Sequence, residues 1–173
     1  MSCKAVLVID MLGDFINESG SLYVGPHVNK IIKPIKDLVE NERAKGSSII
    51  YICDNHLPDD AEFKMFTPHC IKGTEGAAII DVLKPEETDH IINKRRYSAF
   101  AGTDLDITLR EKSVTDLVLV GVCTNICVLY TSADARNLNY IVTVPEQCVT
   151  SFDLDAHDFA LKEMKKTLGV KIT

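Results

Sequence analysis

Apolar runs and amphipathic stretches alternate along this chain from one end to the other. The longest runs are continuous and rich in Val, Ile and Leu, which is typical of strands buried on both faces of a parallel sheet. The predicted strands, in chain order, are Lys4–Asp10, Ser48–Asp54, His90–Lys94, Asp116–Val122, Tyr140–Val144 and Val170–Ile172. The first two runs end in an acid, so the pattern places charged side chains at strand ends.

The stretches between these strands carry apolar residues at helical spacing. The predicted helices are Val28–Val39, Thr103–Lys112, Asn125–Asn137 and Asp155–Leu168. Thr103 is a suitable N-cap, and Pro34 requires the first helix either to start late or to kink. Strands that alternate with helices form right-handed βαβ units. The sequence therefore predicts an α/β fold, a three-layer, open, mostly parallel sheet with helices on both faces, as one domain over residues 1–173.

Composition and charge narrow the classes of function. The chain has 173 residues, enough to bury a proper core, and a net charge of -6. Lys94–Arg96 is the only basic run, and because phosphate binding needs clustered cations, no nucleic-acid partner is expected. Apolar runs such as Leu117–Cys123 are too short to span a bilayer, and no secretory signal is visible. We therefore expect no membrane partner, a cytoplasmic location and reduced cysteines.

Chemically active side chains gather at the predicted strand ends. In open parallel sheets, binding sites form beyond the carboxyl ends of the strands, which selects Asp10, Asp54, Lys94 and the Cys123–Cys127 turn. Cys127 falls in the first turn of a predicted helix, where a thiolate is favoured and its pKa is lowered. Asp10 could accept the thiol proton and Lys94 could hold Asp10 ionised. The alternative is a packing cysteine, a turn carboxylate and a solvated lysine.

A second group of candidates could hold a metal ion. Asp54 and His56 alternate on an extended segment, so both can face one ion, and Glu62 and His69 on the following loop could complete the set. Mixed nitrogen and oxygen ligands suit Zn, Mn or Fe better than Mg or Ca. The alternative is a polar turn that carries unrelated histidines.

Three aromatic residues stand close to these candidates in the sequence. They are Phe15, Phe66 and Tyr97. They could wall a pocket for a flat ring, although ordinary core packing would also account for them.

Several stretches occur in the order and at the separations of a known family. Val8–Phe15, Asn93–Gly102 and Gly121–Val128 resemble the catalytic blocks of the isochorismatase-like cysteine hydrolases. Asp54–His56 and Pro68–Gly76 are similar to the metal-site motifs of the nicotinamidase branch of that superfamily. The resemblance covers essentially the whole chain. It implies a nicotinamidase that converts nicotinamide to nicotinate and ammonia in NAD salvage, through a cysteine thioester.

The resemblance also implies roles for the catalytic candidates. Cys127 would be the nucleophile, Asp10 the base and Lys94 its cationic partner. The peptide bond between Val122 and Cys123 would be cis, and the backbone N–H groups of Cys123 and Cys127 would form the oxyanion hole.

The resemblance gives the second group a metal-binding role. Asp54, His56 and His69 would bind one divalent metal ion, with Zn preferred over Mn or Fe, and Glu62 would join them directly or through water. Phe15, Phe66 and Tyr97 match positions that line the nicotinamide ring.

The chain departs from the family pattern at two places. Leu12-Gly13 stands where Gln-Asn is usual, and Asn125 replaces a common Asp, which could change the shape of the pocket. Two alternative functions stay open at this point: a metal-free hydrolase of another amide, ureido compound or enol ether, and a metal-binding or redox-responsive protein without enzymatic activity. Members of the family often assemble, so a homo-oligomer is expected.

Overall fold

The computed structural model describes residues 3–173, so Met1 and Ser2 of the predicted domain lie outside the described residues. The strands are β1 (Cys3–Ile9), β2 (Ser48–Asp54), β3 (His90–Lys94), β4 (Val114–Val122), β5 (Ile141–Val144), β6 (Val149–Thr150) and β7 (Lys171–Ile172). The α-helices are α1 (Gly13–Ile16), α2 (Asn29–Ala44), α3 (Leu105–Glu111), α4 (Leu129–Asn137) and α5 (Leu154–Lys166). Short 3₁₀ turns occur at Pro26–Val28, Ala61–Lys64, Glu75–Ala77, Asp81–Leu83 and Glu146–Cys148, and a π-helical turn at Thr124–Val128.

The strands form one sheet in the order β3-β2-β1-β4-β5-β7, with β6 beside β4. Every strand pair of the sheet is parallel. The predicted fold class is confirmed. Over residues 3–173 no helix combines the length and the apolar character that crossing a membrane requires.

Helices cover both faces of the sheet because alternate residues of each strand point to opposite sides. Val8 of β1 belongs to a buried cluster with Ile35 of α2. Leu7, its neighbour in β1, belongs to a second cluster with Leu109 of α3 and Met164 of α5. The sheet is therefore buried on both sides, which explains the continuous apolar runs in its central strands.

The two central strands approach closely at the edge where the candidate residues lie. Gly121 of β4 pairs with Ile9 of β1, and a Cβ atom on Gly121 would lie 2.0 Å from the carbonyl oxygen of Ile9. Gly121 also has a φ of 112°, a conformation that favours glycine. A side chain at this position would push β4 away from β1 just before the turn that carries Cys127.

Three local predictions differ from the structure. α2 begins at Asn29 and runs through Pro34, since a proline in the second turn removes only one backbone hydrogen bond and the flanking side chains of Ile31 and Ile35 are buried. α3 begins at Leu105, although the Thr103 hydroxyl does accept the Leu105 N–H at 3.3 Å. The helix predicted from Asn125 begins as a π-helical turn and becomes α-helical only at Leu129.

A buried carboxylate on α2 joins the helix to the sheet. The oxygens of Glu42 lie 3.1 Å from Lys4 Nζ, 2.9 Å from Lys45 Nζ and 2.9 Å from Ser47 Oγ. Burial by itself would raise the pKa of Glu42, but these donors outweigh it and lower the pKa to about 2.

We expect Glu42→Gln to lower the free energy of unfolding at neutral pH by about 1–2 kcal/mol, because it removes these charge-assisted contacts. The folded-state pKa is depressed, so the contribution of Glu42 is complete above about pH 4.5 and is lost as the pH falls towards 2. Urea denaturation of both proteins between pH 7 and pH 2.5 measures this. Glu40→Gln, on the exposed side of α2, is the control and should change stability by less than about 0.5 kcal/mol. A constant difference between wild type and Glu42→Gln over this pH range would contradict the assignment.

Candidate active site

The parallel topology brings four side chains from four strand ends to one edge of the sheet. Asp10 follows β1, Asp54 and Lys94 end β2 and β3 in register with each other, and Cys127 lies in the π-helical turn after β4. All four are buried. The sequence separates them by up to 117 positions, yet parallel pairing places their strand ends side by side.

Lys94 is the centre of this group. Its Nζ lies 2.9 Å from Asp10 Oδ2, 2.5 Å from Asp54 Oδ1 and 3.4 Å from Cys127 Sγ. Burial of the ammonium would lower its pKa, but the two carboxylates and the thiol raise the pKa of Lys94 well above its usual value. Lys94 therefore stays positively charged and contacts the carboxylate of Asp10 and the sulfur atom of Cys127.

Asp10 has the geometry of a proton acceptor. Its backbone is in the left-handed region, with a φ of 53°, a conformation that non-glycine residues adopt at a cost of about 1–2 kcal/mol. Its Oδ1 accepts the Asp54 N–H at 2.8 Å, whereas Oδ2 accepts no well-aligned hydrogen bond within residues 3–173 although it contacts Lys94. A carboxylate oxygen of Asp10 and Cys127 Sγ lie within 4.8 Å of each other. Burial and repulsion by Asp54 raise the pKa of Asp10, which increases its proton affinity.

The expected ionisation of Cys127 is wrong. Its position near a helix N-terminus predicted a lowered pKa, but complete burial raises the pKa of the Cys127 thiol well above its usual value, despite the opposing effect of Lys94. The carboxylates of Asp10 and Asp54 add to the increase. The sulfur is therefore a neutral thiol at rest, and it needs a base in contact to become a nucleophile.

The second group of candidates also converges. The Oδ2 of Asp54 lies 3.6 Å from His56 Nε2 and 3.8 Å from His69 Nε2, and the Oε1 of Glu62 lies 4.0 Å from each of these nitrogens. For a tetrahedral zinc site the ligand atoms would be about 3.3–3.6 Å apart. The ligand atoms of Asp54, His56 and His69 all lie within 4.8 Å of one another, so these three residues could share one ion. Asp54 also connects the two groups, since its other oxygen binds Lys94.

The hydrogen bonds of the two imidazoles test whether these residues fit a metal. His56 Nδ1 is 3.2 Å from Asp60 Oδ2 and His69 Nδ1 is 2.7 Å from the carbonyl oxygen of Thr67. Both oxygens can only accept, so each Nδ1 carries the proton and each Nε2 presents its lone pair to the cluster. His56 Nε2 is buried and has no hydrogen-bond partner among the described residues. These features fit a divalent metal ion of the zinc type.

A small cavity lies against both groups, since Cys127 lines it together with Asp54, Glu62 and His69. Its walls include the three aromatic residues that the sequence selected, Phe15, Phe66 and Tyr97. The edge of Phe15 meets the His69 ring at 5.3 Å between centroids, so the aromatic wall adjoins the metal candidates. The sequence did not indicate Leu22, Ile126 and Phe152, which complete the apolar lining.

The sequence pattern also did not indicate two further carboxylates near the site, Asp60 and Asp14. Asp60, which holds His56, stands four residues after it in a loop without periodicity, where no sequence pattern distinguishes it. Asp14 lies within a family block but had no role assigned. Its Oδ2 accepts the Cys70 N–H at 2.7 Å, next to His69, and a Cβ atom on Gly76 would lie 2.1 Å from the same oxygen. Asp14 therefore connects the loop that carries His69 to α1.

The positions that depart from the family pattern make structural contacts of their own. A Cβ atom on Gly13 would lie 2.6 Å from the carbonyl oxygen of Glu75, so the absence of a side chain lets that loop approach α1. Asn125 Oδ1 accepts a hydrogen bond from Ser151 Oγ. The peptide bond between Val122 and Cys123 is cis, as the resemblance implied.

The chain matches a known protein family over nearly its whole length. The model of the isochorismatase domain matches residues 4–173. The chain belongs to the isochorismatase family. A Bacillus subtilis relative, described as the uncharacterized isochorismatase family protein PncA, is 37% identical, and the match covers 98% of both chains. Membership in this hydrolase family favours an enzyme over a redox-responsive protein without activity.

Solved structures show the same fold. The nicotinamidase/pyrazinamidase PncA of Bacillus subtilis has a TM-score of 0.94 at 34% identity, covering 99% of both chains. A pyrazinamidase of Pyrococcus horikoshii, solved in complex with zinc, has a TM-score of 0.92 at 31% identity and 98% coverage of both chains. An N-carbamoylsarcosine amidase of Thermoplasma acidophilum has a TM-score of 0.90 at 33% identity, covering 99% of this chain and 95% of that one. The chain is thus an isochorismatase-like hydrolase similar to amidases with different substrates.

Proposed function

We propose that this chain is a nicotinamidase, a cysteine amidohydrolase that converts nicotinamide to nicotinate and ammonia. The observation that carries the proposal is that one cavity is lined both by Cys127, which lies close to Asp10 and Lys94, and by Asp54, Glu62 and His69 of the candidate metal site. The similarity to solved nicotinamidases supports it.

Asp10, Lys94 and Cys127 perform the chemistry in this proposal. Asp10 takes the thiol proton as the sulfur attacks the amide carbonyl, and Lys94 stabilises the negative charge that forms on sulfur. The backbone N–H groups of Cys123 and Cys127 stabilise the oxyanion, each contributing about 3 kcal/mol to lowering the barrier. Asp10 then returns the proton to the leaving ammonia. Water hydrolyses the thioester with Asp10 again as the base.

Asp54, His56, His69 and Glu62 would hold one divalent metal ion, with zinc preferred because the set mixes two imidazoles and carboxylates. An ion held by these residues would supply Lewis-acid chemistry to a substrate with a ring nitrogen. Protein side chains would orient the ring of the substrate, because Phe15, Phe66 and Tyr97 form aromatic walls for a flat ring.

The lining of the cavity favours a neutral amide such as nicotinamide over a charged substrate such as N-carbamoylsarcosine. The residues that line it include no Lys or Arg within the described chain, and Lys94 is occupied by two carboxylates. N-Carbamoylsarcosine is an anion at neutral pH. No Lys or Arg among the described residues of the cavity wall could pair with its carboxylate, and the carboxylates of Asp54 and Glu62 would already offset the charge of a divalent metal ion. Burying an unpaired charge costs several kcal/mol. A neutral aromatic amide carries no such cost.

An ammonia-release assay tests the proposal directly. We expect turnover of nicotinamide, and at least about 100-fold lower kcat/KM for N-carbamoylsarcosine, because a buried unpaired carboxylate is strongly unfavourable. Chelation of metal should lower nicotinamide turnover by at least about tenfold, and added zinc should restore it. Equal or faster turnover of the carbamoyl compound, or activity that chelation leaves unchanged, would contradict the proposal.

Three further predictions accompany this function: a place in NAD salvage, a cytoplasmic location and a homo-oligomeric state. Light scattering coupled to size-exclusion chromatography measures the last of these.

A further inference from the structure

Asp60 is a buried carboxylate in the loop between β2 and β3. Its side chain has no exposed surface, and its two oxygens have four donors nearby. Oδ2 accepts from His56 Nδ1 at 3.2 Å and from Arg95 Nε at 2.9 Å. Oδ1 accepts from the Glu62 N–H at 3.1 Å and from Arg96 Nη1 at 3.1 Å. A carboxylate with this many donors is fixed in one orientation.

Two of these contacts reach candidate metal ligands. The contact with His56 places the proton on Nδ1, which leaves the lone pair of Nε2 directed at Asp54 and Glu62. By accepting the Glu62 N–H, Asp60 caps the 3₁₀ turn from Ala61 to Lys64 and so fixes the backbone from which the Glu62 side chain extends. One carboxylate thus orients a nitrogen ligand and an oxygen ligand together.

The other two contacts reach the strand that carries Lys94. Arg95 and Arg96 follow Lys94 directly, so their ion pairs with Asp60 tie the loop bearing His56 to the end of β3. The arginines also balance the buried negative charge. Burial would raise the pKa of Asp60, but the Glu62 N–H, Arg95 and His56 hold it well below its usual value.

We infer that Asp60 is a positioning residue that orients His56 and Glu62 for metal binding and connects the metal site to the Lys94 strand. The inference rests on the metal site of the proposed function. A carboxylate behind a metal-binding histidine fixes the ring and raises its basicity, and loss of such a partner typically weakens metal affinity by about 10–100-fold.

Zinc affinity, measured by competition with a chromogenic chelator, tests this inference in the full-length protein. Asp60→Asn keeps the size of the side chain but removes its charge and one acceptor, and we expect its Kd for zinc to rise by about 10–100-fold. Asp59→Asn, at the neighbouring exposed acid, is the matched control and should stay within about twofold of wild type. The absorption spectrum of bound cobalt should also change in Asp60→Asn and not in Asp59→Asn. An unchanged Kd in Asp60→Asn would overturn the inference.

The outcomes separate this inference from the proposed function. A wild-type protein that binds no zinc removes the proposed metal site and the inference with it. A protein that binds zinc with Asp60-dependent affinity, but does not turn over nicotinamide, retains the inference and loses the proposed substrate.

If Asp60→Asn does not fold, Arg95→Gln tests the role of Asp60 instead. Arg95 is 47% exposed at its side chain, so Arg95→Gln should be tolerated, and it removes a donor from the oxygen that holds His56. The loss of one charge-assisted hydrogen bond should raise the zinc Kd by about three- to tenfold. A wild-type Kd in Arg95→Gln would then overturn the inference.

Discussion

Cys127→Ala loses nearly all amidase activity, with kcat/KM for nicotinamide at least about 10³-fold below wild type. The expected loss is large because the reaction then lacks its nucleophile, and only binding and the backbone N–H groups remain to assist direct attack by water. Zinc affinity should change little, because the ligand atoms of Asp54, His56 and His69 do not include the sulfur. Parallel measurement of ammonia release and zinc binding separates a chemical defect from a misfolded site.

Cys148→Ala is the matched control for this substitution. Cys148 is another buried free cysteine, and it does not line the cavity. Its replacement should cost some stability, about 1 kcal/mol, and should leave kcat/KM within about threefold of wild type. If Cys127→Ala retained the activity of Cys148→Ala, Cys127 would have no part in the mechanism.

Lys94→Met lowers the free energy of unfolding by about 3–5 kcal/mol and abolishes turnover. The ammonium of Lys94 is fully buried between Asp10 and Asp54, at 2.9 Å and 2.5 Å, and its removal leaves two carboxylates close together without a counter-charge. Breaking a buried ion pair by removing one partner has this order of cost. Urea denaturation monitored by circular dichroism measures the stability, and ammonia release measures the activity.

A second substitution at the same site gives this prediction an internal check. Asp10→Asn removes one of the two charges, so the double variant with Lys94→Met should be more stable than the sum of the two single effects predicts, by about 1–3 kcal/mol. Lys72→Met, at an exposed lysine, is the control for loss of a positive charge and should change stability by less than about 0.5 kcal/mol. Strict additivity in the double variant would show that Lys94 and Asp10 are not coupled.

Asp54 makes the two halves of the site interdependent. One of its oxygens binds Lys94 and the other faces His56 and His69, so a single carboxylate belongs to both groups. Variants of Asp54 would therefore combine a metal defect with a charge defect. Cys127, Lys94 and Asp60 each belong mainly to one contact network, so substitutions at these residues separate the two defects.

The pattern of residues along the chain is enough to predict the fold and the residues that gather at the edge of the sheet. Continuous apolar runs can be buried only between two layers of helices, and parallel strands joined by helices must end at one edge. Asp10, Asp54 and Lys94 follow from that rule without any knowledge of contacts. The same rule selects the turn that carries Cys127, whereas His56 and His69 came from local spacing and from the resemblance to a family.

Contacts between distant segments set the ionisation of Cys127, the shape of the cavity and the hydrogen bonds that support the metal candidates. The neutral state of Cys127 depends on complete burial and on carboxylates more than 70 positions away, which a helix-end argument does not contain. Leu22 and Phe152 become cavity walls only when their segments fold over the site. Asp60 is an ordinary loop acid until the chain surrounds it with His56, Arg95 and Arg96. In each case the physical reason is the same: burial and charge pairing depend on distances in space that no local pattern of residues records.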